Sequence, residues 1–312
     1  MDTVIAIGAY DDWDLEPMRA SYDLHRADGP AALSELPAEV RDRARGVLFK
    51  GHAALEGEHM DALPDLGIVA NYGVGFDAID VDAARARGVR VTNTPDVLSD
   101  DVADLAVAMG IALTRDMVAG VEAVRSGAWA RDGALPLARK FWGGRAGVLG
   151  LGRIGREIAD RLAAFKMEIH YHSRSEKETP GWTRHATPTD LARAVDWLFV
   201  ALVGGAETEG IVSAEVLDAL GEDGVIVNIS RGSVIEEDAL VAALEAGRLR
   251  GAALDVFRGE PEVDPRLARS ERVLPLPHIG SATVETRRAM GALQRENLDA
   301  FLAGRDLPTP VA

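Results

Sequence analysis

The sequence predicts an α/β protein, and three observations lead to that reading. Short apolar runs alternate with amphipathic helical patterns almost from end to end, which is how sheets covered by helices are written. A glycine-rich stretch, GVLGLGRIG at 147–155, lies between one such run and one such helix, as in the first turn of a nucleotide-binding βαβ unit. The chain has 312 residues, more than one hydrophobic core usually organises, so two domains are expected.

The elements follow in order. MDTVIAIGAYDDWD opens the chain with an apolar run that has no basic flank before it and acids after it; it reads as a first strand rather than a secretory signal. GVLF, GIVANYG and VRVTN read as further strands, and DVDAARARG (80–88) as a short helix closed by its glycine. From Ser99 the pattern changes to a long helical run, SDDVADLAVAMGIALTR, with Ser99 as its expected N-cap. Beyond it, strands are expected at 146–152, 167–172, 197–202, 224–230 and 251–257. Thr187-Pro188 opens one of the intervening helices, with Asp190 placed for a variant of the capping box. ERVLPLPHIGSAT adds a short extended piece, and 284–304 carries apolar residues at helical spacing. With no repeat and no flexible linker, the two units are expected to join through the helices that begin near Ser99 and Val284.

Composition narrows the partners. Acids outnumber Lys and Arg by 50 to 34, a net charge of −16, which argues against nucleic acid or an anionic membrane surface. No apolar run reaches bilayer-spanning length. Cysteine is absent, which excludes disulfides, thiolate chemistry and cysteine zinc sites; a cytoplasmic location is the default expectation. An anionic ligand would need local positive groups working against the overall field. Only Lys50, Lys140, Lys166 and Lys177 are lysines, so arginine must supply most of that charge.

Gly150, Gly152 and Gly155 form G-x-G-x-x-G around Arg153 and Ile154. The glycines serve a tight turn, close approach of backbone to a pyrophosphate, and close helix–strand packing. The following helix, REIADRLAAF, offers N-terminal N–H groups to the phosphates. The next strand, MEIHYH, ends at Ser173, Arg174 and Ser175, where a protein that binds NAD would carry an acid for the ribose hydroxyls. An arginine there suits the 2′-phosphate of NADP, so NADP is expected, with NAD as the alternative.

Three later strands each run into a polar segment, and these set Arg231, Glu260 and His278 just past apolar runs. Open α/β sheets place their ligands at such strand ends. Each residue alone has an ordinary structural reading, as a helix cap, a turn residue or a structural histidine. Together, downstream of a dinucleotide motif, they suggest hydride-transfer machinery.

These residues carry a family resemblance. The chain is similar to the D-isomer-specific 2-hydroxyacid dehydrogenases from NYGVGFDAIDVDAARARGVRVTNTPDVLSDDVADLA, through the fingerprint, to PHIGSATVETRRAM. Within the family it most resembles the glyoxylate/hydroxypyruvate reductases. The resemblance implies two Rossmann-like domains with doubly wound parallel sheets. A dinucleotide-binding domain, 99–284, would be inserted into a substrate domain made of 1–98 and 285–312. It implies NADPH-dependent reduction of a small 2-oxo acid to the D-2-hydroxy acid, and a homodimer. Arg231 would bind the substrate carboxylate and polarise its carbonyl. His278 would give the proton, with Glu260 oriented against it. Asp255 would face the nicotinamide, with Ile229 on the cofactor side. Val74 and Gly75 would offer backbone N–H groups to the carboxylate, as a nest of successive N–H groups can. ALVGGAETEG (201–210) departs from the family, because many relatives have a proline-containing loop there.

The chemistry explains the residue types. A guanidinium grips a planar carboxylate through two parallel hydrogen bonds. An imidazole gives up and recovers a proton near neutral pH, and a carboxylate beside it favours the charged form. The other histidines show no metal-ligand spacing, so no metal is expected. Trp129 and Trp142 are expected to pack in a core or domain interface, though the loop between them could line a partner subunit's substrate site. Glu260 speaks against formate dehydrogenases, which pair the histidine with glutamine. A bulkier 2-oxo acid such as hydroxyphenylpyruvate stays open as substrate. A non-catalytic dinucleotide-sensing protein is the rival from another class, and neither long tails nor basic clusters support it here.

Overall fold

The structure is a computed structural model and describes residues 1–311. The chain divides into two compact units, Met1–Leu98 with Ala282–Ala312, and Ser99–Ser281. The second crossing falls at 281/282 rather than the expected 284/285. Its position follows from capping: the Thr283 hydroxyl accepts the Thr286 N–H and so belongs to the helix Val284–Leu302 that it opens.

The first unit is built on β1 (Thr3–Ile7), β2 (Asp23–Ala27), β3 (Ala44–Phe49), β4 (Ile68–Asn71) and β5 (Arg90–Thr92), in the order β2-β1-β3-β4-β5. Every pairing is parallel. Strands buried on both faces read as continuous apolar runs, as TVIAI in β1 does. β2 is DLHRA, an edge strand only partly buried, and it has no apolar run to announce it. On one face Ile5, Val47, Phe49 and Val69 pack with Leu33, Met60 and Leu63. On the unit's C-terminal helix, buried Gln294 donates to the carbonyls of Phe49 and Ala70 at 3.4 and 2.7 Å. That amide adds to the strand-end hydrogen bonding, since the Phe49 carbonyl also accepts the Tyr72 N–H at 2.7 Å.

The second unit holds β6 (Arg145–Leu149), β7 (Glu168–His172), β8 (Thr183–Arg184), β9 (Trp197–Val200), β10 (Val225–Asn228), β11 (Gly251–Leu254) and β12 (Val273–Pro275). Their order is β12-β11-β10-β9-β6-β7-β8, again all parallel. Both sheets are doubly wound. In the second, the order reverses between β6 and β9, which opens a crevice at their C-terminal ends. Leu198, Val200, Ile226 and Ala252 form its core with helix residues such as Leu191, Leu217 and Leu240. The helix Pro188–Ala194 is capped reciprocally: the Thr187 hydroxyl accepts the Asp190 N–H at 3.1 Å and donates to its carboxylate at 2.7 Å. Among the described residues no helix is long and apolar enough to cross a membrane.

Two expectations are corrected. Ser99 is not an N-cap but the first residue of the helix Ser99–Thr114, and its buried hydroxyl has no hydrogen-bond partner. Trp129 and Trp142 are not packed away; they are 62 % and 57 % exposed. The helix Ala128–Asp132 buries none of its residues, and the aromatic that enters the core is Phe141, edge-on to Phe165 and Trp197. Gly143 and Gly144, both at positive φ, turn the chain just after it.

Candidate active site

The glycine fingerprint lies at the switch point of the second sheet. Gly150 follows β6 at φ +99°, and a Cβ there would stand 2.5 Å from the Ala201 carbonyl oxygen at the end of β9. A Cβ on Gly155 would fall 1.9 Å from the Gly150 carbonyl oxygen, so this glycine lets the helix Arg153–Ala164 close onto the turn. Gly152 differs: nothing lies within 4 Å of where its Cβ would be. Open space beside a helix N-terminus, with its uncommitted N–H groups and partial positive charge, fits the pyrophosphate of a dinucleotide.

β7 delivers the next polar turn. Ser173 is buried and its hydroxyl donates to the Ser175 carbonyl at 2.6 Å, while Arg174 is 91 % exposed and pairs with Glu207 at 3.0 Å. Glu207 belongs to the 201–210 loop, the stretch that departs from the family pattern. Arg184 on β8 donates through Nη2 to the carbonyls of Ser173 at 3.2 Å and Arg174 at 3.5 Å. Behind the turn, His170 Nδ1 meets His185 Nε2 at 2.9 Å and the two rings stack. Burial holds the His170 pKa below its ordinary value, with Glu168 partly opposing that shift.

Arg231 follows β10, with its peptide fixed on both sides. The Asn228 amide donates to the Arg231 carbonyl at 2.9 Å, and the Arg231 guanidinium donates to the Ser230 carbonyl at 2.8 Å. Beside it, Gly232 lies so close to the chain at Phe257 that a Cβ would come within 2.0 Å of that carbonyl carbon. The Phe257 N–H in turn donates to Glu260 Oε1 at 2.7 Å. The other oxygen of Glu260 meets His278 Nδ1 at 2.7 Å. A carboxylate only accepts, so the proton of this pair sits on Nδ1.

His278 itself has φ +54°, a conformation that non-glycine residues adopt at a cost. Asp255 holds it there. Its carboxylate accepts the N–H groups of Ile279 and Gly280, both at 2.8 Å, and only 1 % of the residue is exposed. Burial raises the Asp255 pKa, and the two N–H groups oppose that shift. Ile229 is buried after β10, consistent with a wall rather than a polar contact.

In the first unit, Val74 and Gly75 sit in a turn after β4. The Asn71 amide donates to the carbonyls of Gly73 and Gly75 at 3.1 and 2.8 Å, and the Asn93 amide donates to the Val74 carbonyl at 2.9 Å. A trans peptide carries its N–H antiparallel to its C=O. Gripping the carbonyls of Gly73 and Val74 therefore turns the N–H groups of Val74 and Gly75 away from those amides, as an anion nest requires.

Comparison with known proteins identifies the family. The sequence profile of the D-isomer specific 2-hydroxyacid dehydrogenase NAD-binding domain matches residues 107–280, more than half of the chain and all of β6 to β12. The chain belongs to the D-isomer-specific 2-hydroxyacid dehydrogenase family. Among related dehydrogenases, it is 47 % identical over 267 residues to hydroxyphenylpyruvate reductase of Plectranthus scutellarioides, covering 86 % of this chain and 85 % of that one. It is 45 % identical over 271 residues to glyoxylate/hydroxypyruvate reductase A of Arabidopsis thaliana, covering 87 % and 86 %. The NADPH-dependent glyoxylate/hydroxypyruvate reductase of Sinorhizobium meliloti, solved in complex with NADP and malonate, superposes with a TM-score of 0.95. That structure is 41 % identical, covering 100 % of this chain and 97 % of that one.

Arg184, Glu207 and the Asn71 and Asn93 amides do not stand out in the sequence of this dehydrogenase. Only Asn71 had a local signal, because it stands two and four residues before the carbonyls it grips.

Proposed function

We propose that the chain reduces hydroxypyruvate to the D-2-hydroxy acid D-glycerate, and glyoxylate to glycolate, with NADPH. The observation that carries the reading is the 2.7 Å contact between Glu260 and His278 Nδ1, in the unit that also bears Arg231 and the glycine fingerprint. The reduced nicotinamide, when bound, supplies the hydride. Gly150, Gly152, Arg153, Ile154 and Gly155 hold the pyrophosphate end, and the fit of that turn to a dinucleotide rests on the open space at Gly152. Arg231 binds the 2-oxo acid carboxylate and draws charge toward the carbonyl oxygen. His278 gives that oxygen a proton from Nε2, while Glu260 stabilises the imidazolium and fixes the ring. Solvent then restores the proton. Asp255 acts by holding the His278 peptide, and Val74 with Gly75 forms a carboxylate nest.

The cofactor preference rests on Ser173, Arg174 and Ser175. A 2′-phosphate reaching Arg174 exchanges with the Glu207 carboxylate, a modest loss because both side chains are exposed. A hydrogen bond to a charged group contributes about 1.5–3 kcal/mol. Arg174→Ala is therefore expected to lower kcat/KM for NADPH by roughly ten- to a hundredfold and to leave NADH almost unchanged. Steady-state kinetics with both cofactors tests this, and equal losses for the two would remove Arg174 from the pocket.

The 47 % identity to a hydroxyphenylpyruvate reductase supports a second reading, a bulkier aromatic 2-oxo acid as substrate. Relative kcat/KM for hydroxypyruvate and hydroxyphenylpyruvate separates the two. A homodimer is part of the proposal. Val118, Val124, Trp129, Leu135 and Leu137 are exposed apolar side chains, Leu137 to 99 %, and a face of that kind suits a second copy of the chain. A cytoplasmic location is proposed on the cysteine-free composition.

A further inference from the structure

Arg184 stands on β8, a two-residue strand at the edge of the second sheet, and has no part in the hydride chemistry described above. Its guanidinium donates to two consecutive carbonyls, those of Ser173 and Arg174. Because N–H and C=O are antiparallel in a trans peptide, this grip turns the N–H groups of Arg174 and Ser175 away from the guanidinium, side by side. Two successive N–H groups presented in this way make an anion-binding concavity. The Ser173 hydroxyl, bonded to the Ser175 carbonyl at 2.6 Å, closes the same turn.

The strand that carries Arg184 is itself anchored. Tyr171 pairs with Arg184 in register, and the His185 N–H donates to the Tyr171 carbonyl at 2.8 Å. His170 meets His185 ring to ring at 2.9 Å, and His172 Nδ1 donates to the His185 carbonyl at 3.0 Å. Arg174, by contrast, is a long exposed side chain already paired with Glu207, so it cannot set the shape of the turn alone. Arg184 adds a second positive charge beside the turn in a chain of net charge −16.

We propose that Arg184 is a positioning residue for cofactor specificity. It holds the Ser173–Ser175 turn in the conformation that receives the 2′-phosphate of NADP. The inference rests on the NADP reading of that turn given above. Isothermal titration of the full chain with NADP⁺ and with NAD⁺ tests it without turnover. Arg184→Gln is expected to weaken NADP⁺ about three- to tenfold, the usual range for losing one hydrogen-bonding residue, with NAD⁺ almost unchanged. Arg184→Lys keeps the charge and a donor, so it is expected to recover most of the lost NADP⁺ affinity. Equal weakening of both cofactors by Arg184→Gln, no weakening at all, or a lysine variant as impaired as the glutamine one overturns the proposal. The companion variant Arg174→Ala separates the two levels. If the parent prefers NADP⁺ and Arg174→Ala abolishes that preference while Arg184→Gln leaves NADP⁺ affinity at the parent's value, only the role of Arg184 falls. If the parent shows no preference for NADP⁺, the reading of the turn falls and the proposal with it.

Discussion

Replacing His278 by alanine is expected to lower kcat for hydroxypyruvate reduction by about 10²–10⁴-fold, the usual worth of a positioned general acid. Binding of NADPH should stay close to the parent's, because the glycine fingerprint and the Ser173–Ser175 turn lie elsewhere in the unit. The size of the effect follows from the supports of the ring. Glu260 fixes Nδ1 at 2.7 Å, and Asp255 fixes the following peptide through two 2.8 Å bonds. Water that replaces the lost acid is not held in that orientation. Stopped-flow and steady-state measurement of NADPH oxidation checks the rate, and fluorescence titration checks the cofactor. A variant that retains kcat within a few-fold would contradict the assignment of His278.

Arg231→Lys is the second large effect. Lysine keeps the charge but loses the planar fork that matches a carboxylate, so the substitution is not conservative at such a site. A loss of about 10²–10³-fold in kcat/KM is expected, comparable to removing one donor that stabilises a developing oxyanion. The Arg231 backbone is clamped by Asn228 and by close packing of Gly232 on Phe257. A shorter or differently shaped side chain therefore cannot be re-aimed by shifting the main chain. Kinetics with glyoxylate and hydroxypyruvate measures the loss. Unaltered kcat/KM would take Arg231 out of the site.

Much of this was legible in the sequence because the informative patterns are local. The fingerprint glycines, the buried strands and the Thr187 cap each depend on residues a few positions apart. β2 and β8 were not legible, since DLHRA and the exposed pair Thr183–Arg184 bury too little to need an apolar pattern. Trp129 and Trp142 misled for a related reason: large aromatic residues usually pack, yet here the chain turns so that Phe141 fills the core. The anchoring of the site was also hidden. Asp255 reaches residues 24 and 25 positions ahead, and Arg174 finds Glu207 33 positions away. Such pairs follow from sheet order, which brings strand ends together without leaving a spacing in the sequence.

Hydride from NADPH is expected to reach one face of the carbonyl carbon of a small 2-oxo acid, while the proton goes to its oxygen. The direct test is to incubate the chain with hydroxypyruvate and NADPH and resolve the product by chiral chromatography. D-glycerate is expected in one-to-one proportion with the NADPH consumed. L-glycerate, or NADPH that is never consumed with either hydroxypyruvate or glyoxylate, would contradict it.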